Sequence, residues 1–410
     1  MDEKKFSYGN AVIVGISLTG DDIINSMYNS FLPLILLSEV FGLGPALAFF
    51  IMTWDNIIKI FVSPWAGAKS DKTWNRFGRR KGWVILGGLM AAAVSVMVPR
   101  ANTLIVLTVY IIIYNVGLAI ISSTAGAWLG DLFTPADRSK ANGIIQIFVG
   151  FAEVIALYVG GKIYTQIGPV APFDVGAALL IISLAIPVLF LKEPEQIEAI
   201  ETSDQKKPGV LSIIRGMFSG ENKSGGYVWL GLFFWAMAIL SAGVALVPYS
   251  VRTLGLTPGQ AVSTIALYSA ATILFSYPSG LIANRIGRKK AIDIGTIGVI
   301  LSTGVAYFLI NSQSSLGVIY VISGFFFSLL LVNYRPLFYD YADQSQIGAY
   351  TGVYDISVYL AAILGPVLTG FVIESFGDDF GLVWPIMAVI MVLSWLAMRG
   401  VKEKVLQTPA

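Results

Sequence analysis

Two ionisable residues stand four positions apart inside an apolar run. Asp55 and Lys59 lie at i and i+4 of the stretch 44–66, so on a helix they share a face and can pair. An unpaired charge is costly in apolar surroundings, so such residues face a partner or a cavity. The pair is either a neutralised contact that tolerates burial or a group that takes part in ion coupling.

A second polar pattern lies nearer the start of the chain. Asp21, Asn25 and Asn29 recur every four residues, which places them in one stripe on a helix, and Asp22 adjoins the stripe. An ionised carboxylate accepts strong hydrogen bonds from hydroxyl groups. We therefore expect a binding site for a hydroxylated small molecule here, although one of the two adjacent acids is equally well explained as a helix–helix contact.

The C-terminal half offers a complementary set of residues. Arg335 and Tyr339 share one helix face, and Thr351, Asp355 and Tyr359 share another. A pair between Arg335 and Asp355 would neutralise both charges, so the arrangement is either structural or part of substrate binding and gating. The first half adds one more acid, Glu153, which we expect to be a buried, protonated carboxyl that serves in coupling, because burial disfavours its charged form.

Other chemistry is excluded by what the sequence lacks. It contains no cysteine and no histidine, so it has no thiol chemistry, no imidazole proton shuttle and no such metal ligands. It has neither a Walker-type phosphate loop nor a nucleophile triad. We expect a protein that is not an enzyme and has no cofactor, no metal and no nucleic-acid partner.

The amino-acid composition indicates which kind of secondary structure positions these residues. Of the 410 residues 56% are hydrophobic and only 13% are charged, whereas soluble domains have about a quarter charged residues. The apolar runs reach about 20 residues, the length of a helix that crosses a bilayer. We predict an all-α membrane protein with twelve transmembrane helices. The predicted spans are 10–37, 44–66, 83–99, 103–130, 143–164, 172–191, 226–251, 259–283, 291–311, 316–339, 349–374 and 380–398.

Basic residues are concentrated on one side of these spans. With both termini in the cytoplasm, the opposite face keeps only Arg100, Lys162 and Arg252. The positive-inside rule therefore predicts cytoplasmic N- and C-termini in a cell membrane. The longest hydrophilic stretch, 192–225, separates an N-terminal six-helix bundle at 1–191 from a C-terminal one at 226–410.

The two halves repeat one motif. Arg76-Phe-Gly78-Arg79-Arg80-Lys81 follows the second span, and Arg285-Ile-Gly287-Arg288-Lys289-Lys290 follows the eighth. Asp71 precedes the first copy, whereas the uncharged Asn284 occupies its place in the second. Parallel repeats of this kind are typical of transporters with two pseudo-symmetric bundles.

These motifs resemble the signature of the major facilitator superfamily. The form Ser70-Asp71-Lys-Thr-Trp-Asn-Arg76-Phe-Gly78-Arg79-Arg80 is similar to that of proton-coupled sucrose transporters and of glycoside–pentoside–hexuronide cation symporters. Trp54-Asp55-Asn56 and the segment 130–138 add to the likeness, which covers nearly the whole chain. The resemblance implies alternating access between the two bundles and transport of a sugar or glycoside.

The resemblance also implies roles for particular residues. Asp22 falls where those symporters place a sugar-binding aspartate, and Trp128 matches their sugar-stacking aromatic, unless it is an interface anchor. Asp55 falls at a cation-site carboxylate, but Lys59 and Thr124 replace the two further acids expected there. We therefore expect coupling to protons rather than to sodium.

A gate is implied at the first motif. In the superfamily the aspartate that Asp71 matches lies beside the N-terminus of the eleventh span, near 348–352, whose free amides attract an anion. We expect Arg76 and Arg79 to hold this carboxylate, and Arg285 and Arg288 to serve the corresponding loop of the second repeat beside Asn284.

Two alternatives remain open. An organic anion or hexuronide carrier is possible, since Lys59 and Arg335 can neutralise a carboxylate. A nontransporting sensor with a transporter fold is the other. The expected partners are a small-molecule solute, protons and the lipid bilayer.

Overall fold

The computed structural model describes residues 6–74, 76–134, 137–194, 210–219, 223–341 and 347–402. Helices dominate these ranges, and no β-strand occurs within them. The predicted all-α class is thereby confirmed. Parts of the predicted central loop, 195–209 and 220–222, lie outside the described residues, as do 1–5 and 403–410.

The helices follow the predicted spans closely. They are α1 Tyr8–Leu36, α2 Pro45–Met52, α3 Trp54–Lys72, α4 Lys81–Met97, α5 Leu104–Leu132, α6 Arg138–Gln166, α7 Ala171–Phe190, α8 Val210–Ser219, α9 Ser224–Arg252, α10 Pro258–Ile286, α11 Arg288–Leu309, α12 Gln313–Tyr339, α13 Ile347–Ser375 and α14 Val383–Arg399. The second span is divided at Thr53, where the backbone interrupts the helix between α2 and α3.

Eleven helical stretches of the described chain are long and apolar enough to cross a membrane. In this count α2 and α3 form one stretch. The helix α1 is 29 residues long but is not one of the eleven. Its polar residues, Asp21 and Asp22 among them, lower its hydropathy. This is the helix on which the sequence places a binding stripe.

Contacts divide the chain into two compact units. The first comprises 1–43, 51–201 and 256–266, and the second comprises 44–50, 202–255 and 267–410. The start of α2 therefore groups with the second unit, and the start of α10 groups with the first. The division into bundles at 192–225 stays a prediction.

Helix packing repeats from one unit to the other. In the first unit α1 packs on α6 and α7, and α4 packs on α5 and α7. In the second, α9 packs on α13 and α14, and α11 packs on α12 and α14. The short α8 lies against α9 and α13, with Ile213 and Met217 buried in the core of that unit.

Glycines allow close contacts between these helices. A Cβ atom on Gly117 of α5 would lie 2.8 Å from the carbonyl oxygen of Gly87 and 2.9 Å from the backbone nitrogen of Ala91 on α4. Small residues let helix backbones approach to this distance in membranes. Any side chain at Gly117 must push α4 and α5 apart.

We predict that Gly117→Ala lowers stability by about 1–3 kcal/mol, the usual cost of overpacking. The matched control is Gly126→Ala on the same helix, where an added Cβ has no neighbour within 4 Å. The measurement is the thermal unfolding midpoint of the purified protein, followed by intrinsic tryptophan fluorescence. Equal midpoints for the two variants would contradict the packing argument.

Candidate functional site

The predicted pair of the second span forms on α3. The Nζ of Lys59 lies 3.5 Å from Oδ2 of Asp55, with the two side chains 21% and 15% exposed. The Asn56 amide donates to Oδ1 of Asp55 at 2.5 Å. Both carboxylate oxygens of Asp55 therefore have a partner, as a buried charge requires.

Two tyrosines that the sequence reasoning missed lie beside this pair. The rings of Tyr28 on α1 and Tyr114 on α5 stack at 4.0 Å and are almost fully buried. Tyr114 lies close enough to both Asp21 and Asp55 to interact with them electrostatically, and Lys59 likewise attracts Asp21. We call the group of Asp21, Tyr28, Asp55, Lys59 and Tyr114 the α1–α3–α5 cluster.

The sequence held a signal for Tyr28. It stands seven positions after Asp21, so the two residues share one face of α1. Tyr114 carries a weaker signal: its neighbour Asn115 interrupts the apolar run of α5 and is itself buried.

The adjacent acids of α1 serve different neighbours. Asp21 interacts with Lys59 on α3, whereas Asp22 interacts with Glu153 on α6, because successive residues of a helix point about 100° apart. Oδ2 of Asp22 is buried without a hydrogen-bond partner within the described chain. The expectation that Glu153 is buried is wrong, since its side chain is exposed. Asn25 accepts a hydrogen bond from Asn29 at 3.1 Å, so the stripe is linked along the helix.

The predicted stacking role of Trp128 is wrong. Its side chain is 0% exposed, so its ring faces neither a solute nor the membrane interface. Its indole Nε1–H donates to Oε1 of Glu193 at 2.8 Å. Trp128 is a buried structural donor because the tertiary structure brings the end of α7 against α5.

Glu193 follows α7 and was not identified from the sequence. Besides the bond from Trp128, its carboxylate accepts from the backbone N–H groups of Arg79, Arg80 and Lys81 at 2.5, 3.0 and 3.1 Å. These amides lie at the start of α4, where an anion is stabilised by free N–H groups and by the helix dipole. Glu193 therefore ties the end of α7 to both α4 and α5.

The first basic loop, residues 76–81 between α3 and α4, is held by acidic residues on two helices. Arg79 and Arg80 bind the two oxygens of Asp131 at 2.7 and 3.0 Å, and Arg80 also binds Asp71 at 2.5 Å. The expectation that Arg76 holds Asp71 is wrong. The Arg76 guanidinium lies 4.6 Å from the centre of the Phe77 ring, and Arg80 binds Asp71 instead. Arg79 reaches Asp71 only at 3.9 Å.

The second basic loop repeats part of this arrangement. Arg288 places one guanidinium nitrogen 2.8 and 2.7 Å from the two oxygens of Asp340, as Arg79 binds Asp131 in the first unit. Gly78 and Gly287 both have positive φ angles, +119° and +92°, which explains the glycine in each copy. Asn284 and Arg285 are exposed.

Part of the C-terminal set lies together. Arg335 on α12 lies 3.9 Å from Asp355 on α13, and the two side chains are 50% and 48% exposed. Arg335 Nε donates to the Tyr339 hydroxyl at 3.1 Å, and its guanidinium lies 4.8 Å from the ring centre of Tyr354, which the sequence reasoning missed. Tyr359 makes none of the contacts found among the described members of this group.

The chain matches the Major Facilitator Superfamily over residues 14–262 and 228–410, and it belongs to that family. It is 24% identical to Multidrug resistance protein 2 of Bacillus subtilis (strain 168), over 78% of each chain. It is 24% identical to the uncharacterised MFS-type transporter YddS of the same organism, over 85% of this chain and 86% of that one.

Solved structures share the fold. The nucleoside transporter NupG superposes with a TM-score of 0.74 at 14% identity, covering 97% of this chain and all of that one. A bacterial homolog to the human lysosomal transporter Spinster gives 0.73 at 16% identity, covering 95% of each chain. The protein is therefore a multi-pass membrane transporter of the major facilitator fold.

We predict that Glu193→Gln lowers stability by about 1.5–3 kcal/mol, because the bonds to its carboxylate are bonds to a charged group. Trp128→Phe should lower the unfolding midpoint as well, whereas Trp65→Phe, at a tryptophan that is 51% exposed, should leave it unchanged. The measurement is thermal unfolding of each variant. A Trp128→Phe variant with parental stability and lost solute binding would restore the stacking role.

Proposed function

We propose that this transporter moves a sugar or glycoside by alternating access, driven by protons and independent of sodium. The observation that carries the proposal is the polar face of α1, where a carboxylate oxygen of Asp22 is buried with no hydrogen-bond partner among the described residues. A buried acceptor of this kind calls for a donor. Solute hydroxyl groups supply such donors, and a carboxylate binds them strongly.

The roles divide between the helices. Asp21, Asp22 and Asn25 bind the solute from α1, and the pair of Asp55 and Lys59 couples the solute to the proton. Glu153, exposed beside Asp22, adds a second carboxylate from α6 to the coupling residues. The resemblance of the first motif to that of glycoside symporters supports the same solute class.

Sodium coupling is disfavoured by the neighbours of Asp55. The ammonium group of Lys59 at 3.5 Å repels a second cation. The hydroxyl of Thr124 is fully buried and donates to the carbonyl of Ile120 at 2.7 Å. A sodium ion needs several hard oxygen ligands, and these positions supply an ammonium and an occupied hydroxyl instead.

The positive-inside pattern supports cytoplasmic termini.

An organic anion or hexuronide is the second candidate. Arg335 is half exposed and reaches Asp355 only at the limit of an ion pair, so its guanidinium is available to a carboxylate. The aromatic rings of Tyr339 and Tyr354 flank it. In this case Arg335 and Tyr359 would bind the solute.

The function is tested by flux into proteoliposomes that contain the purified protein. We expect uptake of a neutral sugar to follow an imposed proton gradient and to ignore a sodium gradient. Glucose, glucuronate and the nucleoside uridine, itself a glycoside, form the first panel. Uptake of glucuronate alone would favour the anion carrier. A saturable sodium requirement would exclude coupling to protons alone. If none of the solutes is taken up, the result would favour a nontransporting sensor.

A substitution at Asp22 tests the site in the same assay. Asp22→Asn should weaken solute binding by about 1.5–3 kcal/mol, roughly 10- to 150-fold in Kd, the scale of a hydrogen bond to a charged group. The matched control is Asp378→Asn, at an exposed residue with φ +62°, a conformation that asparagine tolerates. Unchanged affinity in a folded Asp22→Asn protein would remove Asp22 from the site.

We further propose that Asp71 is a gate residue. Its carboxylate is held by Arg80, and the family pattern places it beside the N-terminus of the eleventh span; residues 342–346, before α13, lie outside the described residues. A contact made in only one of two states shifts their populations. Asp71→Asn should therefore shift the protein toward the state that is open to the cytoplasm.

The readout for Asp71 is crosslinking of cysteine pairs placed across the cytoplasmic mouth of this naturally cysteine-free chain. Lys72→Gln, at the exposed neighbouring residue, controls for a general change of charge. Equal crosslinking in Asp71→Asn and the parent, at matched expression, would rule out the gate.

A further inference from the structure

The ion pair of Arg335 and Asp355 is more open than a comparable pair elsewhere in this chain. Its nitrogen–oxygen distance is 3.9 Å, which is too long for a hydrogen bond. The pair Arg100–Asp174 is about as exposed, at 45% and 41% against 50% and 48%. Yet the Arg100 guanidinium binds both oxygens of Asp174, at 2.8 and 2.7 Å. Exposure therefore does not explain why Arg335 and Asp355 stay apart.

Neighbours on α12 and α13 hold the Arg335 guanidinium instead. Its Nε–H donates to the Tyr339 hydroxyl at 3.1 Å, and that hydroxyl lies 2.9 Å from Oγ1 of Thr351. The guanidinium also lies over the Tyr354 ring, 4.8 Å from its centre, where a cation is attracted to the ring face. These contacts fix Arg335. Within the described ranges its terminal nitrogens Nη1 and Nη2 make no hydrogen bond.

We propose that Arg335 binds a small monocarboxylate through Nη1 and Nη2, and that Asp355 is the anion that competes for this edge when no ligand is bound. A planar guanidinium presents paired N–H donors that match the two oxygens of a carboxylate. This inference rests on the anion carrier named above as the second candidate function. It specifies the class of anion and the residue that limits its affinity.

The charge of Asp355 selects for a single negative charge on the ligand. One guanidinium neutralises one carboxylate, and Asp355 then remains nearby without its partner. Because the Asp355 side chain is 48% exposed, its carboxylate can turn toward water when the ligand takes its place. A second charge on the ligand would be repelled by Asp355 and neutralised by nothing at this site.

The tyrosine rings favour a ligand with an aromatic body. Tyr339 and Tyr354 both flank the guanidinium and are only partly buried. Each ring also packs against Phe338, at 6.2 and 6.3 Å between ring centres, and Phe338 is fully buried. The rings are therefore held in place, and a ring on the ligand gains by packing on them. We expect benzoate to bind more tightly than acetate.

The first test is equilibrium binding of radiolabelled benzoate to the purified full-length protein, without any ion gradient. Arg335→Gln should raise the Kd at least about tenfold, the scale of hydrogen bonds to a charged group. The matched control is Arg100→Gln, at the closed pair of similar exposure, which should leave the Kd unchanged. Benzyl alcohol has no charge and should not compete. Absence of benzoate binding, or equal Kd values in Arg335→Gln and the parent, would overturn the proposal.

Asp355→Asn tests the competing anion by a gain of affinity, which misfolding cannot produce. Benzoate should bind about two- to fivefold more tightly, the fold-change that corresponds to an exposed ion pair. The dicarboxylate phthalate should gain more than benzoate, because it carries the second charge that Asp355 repels. An unchanged or weaker affinity for benzoate would show that Asp355 does not compete.

Tyr339→Phe tests the positioning of Arg335. It removes the hydroxyl that holds Nε, so the guanidinium becomes free to close on Asp355 and benzoate binding should weaken. Adding Asp355→Asn to the same chain should restore binding, since no aspartate is left to close on. A double variant that binds no better than Tyr339→Phe alone would reject this positioning role.

Benzoate uptake into proteoliposomes separates the inference from the proposed function. Binding that requires Arg335, in a protein that does not transport benzoate, would retain the site and reject anion transport. Benzoate transport that survives Arg335→Gln would support an anion carrier and reject the site.

Discussion

A charge inside the apolar thickness of a membrane must have a partner, and the positions of the ionisable residues in this chain follow from that requirement. Lys59 neutralises Asp55 within one helix, and Arg335 approaches Asp355 across two. The difference in exposure is informative. The first pair is largely enclosed, whereas the second keeps about half of its side-chain surface exposed.

The same requirement shapes the ends of the helices, where free backbone amides replace side-chain cations. Glu193 satisfies three amides at the start of α4 and the indole of Trp128, so one carboxylate joins three helices. The pairs Arg79–Asp131 and Arg288–Asp340 then brace corresponding loops of the two units. Within the described chain, buried polar atoms without a hydrogen-bond partner occur instead on α1 and α5, at Asp21, Asp22 and Tyr114 among others.

Local spacing was a good guide wherever both partners lay on one helix or in one repeated motif. The pair at i and i+4, the glycine-marked basic loops and eleven apolar spans were all readable, because helix periodicity and hydropathy act over short distances. Contacts across helices were less accessible. Arg80, and not Arg76, is the partner of Asp71. One local pair was also overlooked, the ion pair of Lys289 with Asp293 at i and i+4 of α11.

The sequence by itself determined the membrane class, the approximate limits of the long helices and the repeat, since apolar length and local pattern decide these features. Only the tertiary structure decided which polar residues meet. Trp128 and Tyr114 are both aromatic residues of α5, yet the first is bound to a carboxylate from beyond α7 and the second faces Asp21 and Asp55. Which neighbour a helix face meets depends on the packing of several helices at once, and no local pattern records it.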